Sequence, residues 1–86
     1  MAMSTGEIAR LLTRALPGAN VDVQGEGGKY QVQVISGVFA GLNRVKRQQT
    51  IYKVLNEHIQ SGAIHAVSML LQTPEEAGPA AQPGQG

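Results

Sequence analysis

No cysteine occurs anywhere in the chain, and tryptophan is absent as well. Without thiols the protein has no disulfide staple, no thiolate nucleophile and no sulfur ligand, so a bound metal must rely on histidine, carboxylate or groups from another molecule. Aromatic residues make up only 3% of the chain. Tyr30, Phe39 and Tyr52 all fall within apolar patterns, which leaves no interleaved ring for stacking on bases. Charge is sparse at 15%, with a net charge of +1, a balance that permits a polyanion partner without arguing for one. Apolar runs stay far below the roughly 20 residues that span a bilayer. The N-terminus MAMSTGE carries neither the basic nor the apolar segment of a signal peptide. A cytoplasmic protein without membrane contact is expected.

What is present is the composition of one small folded domain. Hydrophobic residues reach 42% of 86, and a chain of this size buries about 60 to 65% of the surface that its unfolded form exposes, so its stability is marginal. Ser4 with Glu7 three residues later forms a capping box, and Ile8, Leu11, Leu12, Ala15 and Leu16 follow at helical spacing until Pro17-Gly18 stops the helix. Val21 and Val23, then Tyr30, Val32 and Val34, alternate with polar residues around Gly25-Glu26-Gly27-Gly28, which predicts a β-hairpin. The G-x-x-G in its loop is not a phosphate cradle, since two strands rather than a helix N-terminus flank it.

Val38, Phe39 and Leu42 form an apolar connector, and Asn43 is a good N-cap for a helix from Arg44 to about Ser61, with Gly62 as its stop. On this helix Ile51, Leu55 and Ile59 define an apolar stripe, and Val45 and Tyr52 an adjoining one. Ile64 to Gln72 predicts a last strand, and Thr73-Pro74-Glu75-Glu76 is a helix start with nothing behind it. The order α-β-β-α-β implies an α+β fold: a three-stranded mixed sheet, made of an antiparallel hairpin and a parallel last strand, with helices on one face. The domain is expected over residues 4–76, and residues 77–86, rich in Pro, Gly, Gln and Ala, are expected to be a disordered tail.

Two groups of residues could carry chemistry. Arg44, Lys46 and Arg47 place three of the seven basic side chains at a helix N-terminus, where the dipole disfavours them, with Lys53 further along and Lys29 in the hairpin. They suit the acidic surface of a protein or the phosphates of DNA. His58 and His65 are the only side chains with a physiological titration. Strict alternation puts His65 on one face with Val67, Met69 and Leu71, half-buried and hydrogen-bonded, and no catalytic arrangement can be built around either histidine, so no enzymatic activity is expected.

GLNRVKRQQ at 41–49, IHAVSM at 64–69 and VQGEGGKYQVQVISGVFAG before them resemble the BolA-like family in its short bacterial IbaG-type branch. The resemblance implies a fold similar to a class II KH domain, although a KH domain carries its G-x-x-G between two helices. It further implies a non-catalytic accessory protein that binds a monothiol glutaredoxin and shares or senses its [2Fe-2S] cluster, in iron–sulfur trafficking or iron homeostasis. Some relatives regulate transcription by binding DNA. The family's H-A-[VL]-S motif falls on His65 to Ser68 and implies His65 as a cluster ligand, with the glutaredoxin cysteine and a glutathione thiolate supplying sulfur. Relatives usually carry a second histidine or a cysteine in the hairpin loop, where this chain has Gly28 or Lys29. His65 then ligates alone, His58 substitutes, or the partner is bound without the cluster. Alone, the chain is expected to be a monomer or a weak homodimer.

Overall fold

The computed structural model describes residues 2–78. Its elements are α1 (Thr5–Ala15), β1 (Asn20–Glu26), β2 (Lys29–Ile35), α2 (Arg44–Gln60), β3 (Ala66–Gln72) and a single helical turn, α3 (Pro74–Ala77). The α+β architecture is the expected one. β1 and β2 pair antiparallel, β3 pairs parallel to β2, and the sheet order is β1-β2-β3.

Local chemistry accounts for each boundary. The Ser4 hydroxyl accepts from the Glu7 N–H at 3.1 Å while the Glu7 carboxylate accepts from the Ser4 N–H at 2.9 Å, so two orphan donors of α1 are satisfied reciprocally. The hairpin closes on Gly27 and Gly28, both with positive φ, which matches the twist of the flanking strands and is open to glycine at little cost. The Asn43 side chain accepts from the Lys46 N–H and opens α2. Thr73 and Glu76 repeat the capping box at α3.

The period-2 pattern gives the sheet two unlike faces. Val23, Val32 and Met69 lie in one register row and Val21, Val34 and Leu71 in another. They join Ile8, Leu12, Phe39, Ile51, Leu55 and Ile64 in one core beneath α1 and α2. Full burial of a side chain such as Ile51 or Leu55 contributes about 1.5–3 kcal/mol relative to leaving it exposed. Asp22, Gln24, Gln31, Ser68 and Leu70 form the opposite face, which is exposed. The Tyr30 hydroxyl donates to the Met3 carbonyl and fastens the segment before α1 to β2.

The structure corrects several expectations. The last strand begins at Ala66 rather than Ile64, because the Gly28 carbonyl takes both the His65 N–H (2.7 Å) and the Ala66 N–H (3.1 Å) and breaks the alternation there. His65 is therefore exposed rather than half-buried. Ala15 is exposed although Ile8, Leu12 and Leu16 are buried. Val45 and Tyr52 face solvent at 58% and 42% exposure, so the second stripe of α2 is no part of the core and one aromatic ring does lie on the surface. Ala77 completes the α3 turn and so belongs to the domain, not to the tail. The rest of the expected tail, residues 79–86, lies outside the described residues.

Candidate functional site

The candidate residues lie beside the two ends of β3, His65 just before its start and Arg47 on α2 near its end. At its start the backbone of His65 is anchored on the Gly28 carbonyl, and the imidazole lies directly over the Gly28 Cα, where an added Cβ would come 2.3 Å from His65 Cδ2. Gly28 also has φ +86°. Two independent constraints thus demand glycine under the ring: the left-handed backbone and the space the ring occupies. Lys29 is exposed in the next position and is paired in register with Ala66.

The far end is organised around Arg47. Its Nε donates to the Leu42 carbonyl at 2.9 Å and its Nη1 to the Leu71 carbonyl at 3.1 Å. Both terminal nitrogens also grip the Glu76 carboxylate, at 2.6 and 3.1 Å, a bidentate pairing that matches the planar guanidinium. The guanidinium carbon stands 5.9 Å from the centre of the Phe39 ring. Hydrogen bonding from Arg47, and then from the Thr73 backbone, lowers the Glu76 carboxyl to about 2. Arg47 consequently stitches the connector, α2, β3 and α3 together, and its side chain is only 14% exposed. Spacing alone had grouped it with Arg44 as a docking cation.

The remaining basic residues do not form one patch. Arg44 is exposed and lines a cleft of about 400 Å³ with Arg47, Gln48, Leu70, Gln72 and Glu76, beside the C-terminal end of β3. Lys46 is exposed one residue before Arg47, and Lys53 borders an open surface with Gln49, Tyr52 and Asn56. Lys29 lies at the opposite end of β3, a strand of seven residues spanning roughly 20 Å. His58 is on the α1 side of α2, in a cleft with Met3, Glu7, Arg10, Leu11 and Arg14.

Among the described residues no group of three or more His, Cys, Asp and Glu is placed to hold a metal ion. Gly28, the position nearest the His65 ring, has no side chain and cannot gain one without displacing that ring. The arrangement fits a single imidazole offered to a cluster whose other ligands come from elsewhere. No described helix is long and apolar enough to cross a membrane.

Residues 13–76 match the family described as BolA-like protein. The chain belongs to the BolA-like family. It is 43% identical over 74 residues to the acid stress protein IbaG of Escherichia coli K12, covering 86% of this chain and 88% of that one. It is 38% identical, again over 74 residues, to a protein of Acinetobacter guillouiae encoded in the rpoN-murA intergenic region, with 86% and 89% covered. The BolA homologue of Coxiella burnetii superposes with a TM-score of 0.75 at 29% identity, over 86% of this chain and 95% of that one. BolA1 of Arabidopsis thaliana, at 24% identity and a TM-score of 0.78 over 91% and 100% of the two chains, shares the fold. The BolA-like match ends at Glu76, the residue that Arg47 holds.

Proposed function

We propose that this protein is a non-catalytic binding module for a monothiol glutaredoxin, and that His65 supplies one ligand to a [2Fe-2S] cluster brought by that partner. The observation that carries the reading is the His65 imidazole: exposed, seated on Gly28, and held by backbone bonds at the start of β3. A metal-binding imidazole gains from such anchoring, because less orientational freedom is lost on ligation. A chain without thiols must leave the sulfur ligands to the partner, which agrees with a cluster shared between two proteins. The similarity to an acid stress protein supports a setting in the stress response. With no ligand at Gly28 or Lys29, this chain gives one side chain to the cluster. His58 stays out of it, since it faces α1.

The test is the visible absorption of a complex with cluster-loaded monothiol glutaredoxin. His65→Ala removes the band that distinguishes the mixed complex from the glutaredoxin alone, with the fold intact by far-UV circular dichroism. An unchanged spectrum with His65→Ala ends the ligand assignment. Regulation of transcription through DNA draws on Arg44, Lys46, Lys53 and the more distant Lys29, because Arg47 is committed within the fold. Its check is a double Arg44→Ala, Lys46→Ala variant, whose DNA affinity and salt slope fall only if phosphates are bound there.

A further inference from the structure

The two edges of the sheet are not alike. β1, Asn20–Glu26, carries Asp22 and Glu26 and contains Gly25 at φ +130°, features that discourage another strand from pairing. β3, with sequence AVSMLLQ, has no charge, no proline and no glycine along seven residues. Its ladder fixes which groups point outward. The Ala66 N–H is bound by β2-side Gly28 and the Gln72 carbonyl by Ser36, so Ala66, Ser68, Leu70 and Gln72 turn their backbone groups toward β2. By the alternation of a parallel ladder, those of Val67, Met69 and Leu71 point away from the sheet. Arg47 caps the Leu71 carbonyl, and among the described residues nothing bonds the outward donor and acceptor of Val67 and Met69.

We infer that Val67 and Met69 receive an extended segment of the thiol-bearing partner as an added β-strand. The inference rests on the reading under Proposed function and specifies how that partner is held. Main-chain bonds to an unblunted edge supply affinity, and side chains alternating along the added strand supply selectivity. Leu70, 52% exposed on the open face, calls for an apolar neighbour, and the exposed Arg44 in the adjoining cleft calls for an acidic one. The Glu76 carboxylate already answers Arg47, so Arg44 is the cation of that cleft left for a partner. The Arg47 cap sets the length of the pairing, ending it before Leu71. Val67 lies two residues beyond His65, roughly 7 Å along the strand, so the docked segment ends beside the imidazole.

Amide hydrogen exchange followed residue by residue tests this. In the free protein Ser68 and Leu70, whose N–H groups bond β2, exchange slowly, while Val67 and Met69 exchange fast. Binding of cluster-loaded monothiol glutaredoxin slows Val67 and Met69 by about tenfold or more. Leu70→Lys, which places a charge beside the edge and leaves the β2 ladder intact, weakens the complex by about tenfold. If size exclusion shows the complex yet Val67 and Met69 exchange as before, strand addition is wrong while the glutaredoxin reading stands. If raising this protein's own concentration slows both amides without the partner, the edge belongs to a second copy and the inference is overturned. If no complex forms, the proposed function fails and the inference falls with it.

Discussion

The two ends of β3 are fastened in different ways. At the Gln72 end Arg47, Thr73 and Glu76 answer one another inside the chain: Arg47 holds Leu42, Leu71 and Glu76, and Thr73 and Glu76 cap each other, while Arg44 stays exposed beside them. At the His65 end the backbone is answered by Gly28 but the imidazole is turned to solvent. On the proposed function, the difference separates a residue that holds the fold from one that meets a partner. A planar cation with several donors suits fastening of elements distant in sequence, whereas a ligand must keep a nitrogen accessible while its backbone stays fixed.

The largest effect is expected at Gly28. Gly28→Ala forces a left-handed conformation on a residue with a Cβ and pushes that Cβ into the His65 ring. Its expected cost is about 1–3 kcal/mol, read by urea denaturation, and the His65 ring resonances move with it. Arg47→Ala is expected next. It lowers the melting temperature by a few degrees and frays α3, seen as faster amide exchange at Ala77, while the His65 ring resonances stay in place. Arg47→Lys recovers little of the loss, because an ammonium cannot make the bidentate pairing.

Acid probes the same end more gently. The Glu76 carboxyl is lowered to about 2 in the folded protein, below the unfolded value of about 4.3. Its contribution to stability is therefore complete above that unfolded value and is lost as pH falls through about 2. The clamp thus holds through mild acid. A melting-temperature series from neutral pH downward should show this loss in the native protein and a smaller one in Arg47→Ala. The smallest effect is expected from Arg44→Ala, which changes stability by less than about 0.5 kcal/mol. It should slow association with the glutaredoxin and flatten its salt dependence, as measured by stopped-flow mixing at several ionic strengths.

Much of this was legible in the chain. The Ser4–Glu7 box, the hairpin around Gly27-Gly28 and the Asn43 cap are local signals decided by local chemistry, and the parallel last strand follows from the crossover through α2. Arg47 was not legible. Its partners Leu71 and Glu76 lie 24 and 29 residues away, and helical spacing says that it neighbours Arg44 without saying which of the two turns inward. His65 was misplaced for a related reason: alternation was extended two residues too far, because nothing local reveals that one carbonyl across the sheet captures two successive N–H groups. Val45 and Tyr52 fit helical periodicity, yet α1 and the sheet cover only the stripe of Ile51 and Leu55. The exposed Leu70 follows from the alternation that turns half-buried Met69 and Leu71 toward the core, a consequence of the strand pattern that composition alone conceals.

One end of β3 holds the fold, and the other is proposed to meet the cluster. The most direct test compares His65→Ala and Arg47→Ala in two measurements on each: thermal melting of the free protein, and visible circular dichroism of its mixture with cluster-loaded monothiol glutaredoxin. His65→Ala is expected to melt like the native protein and to lose the altered cluster spectrum, while Arg47→Ala is expected to melt lower and keep that spectrum at temperatures where it is folded. A native spectrum from His65→Ala, or a spectrum lost by the folded Arg47→Ala protein, would contradict the division.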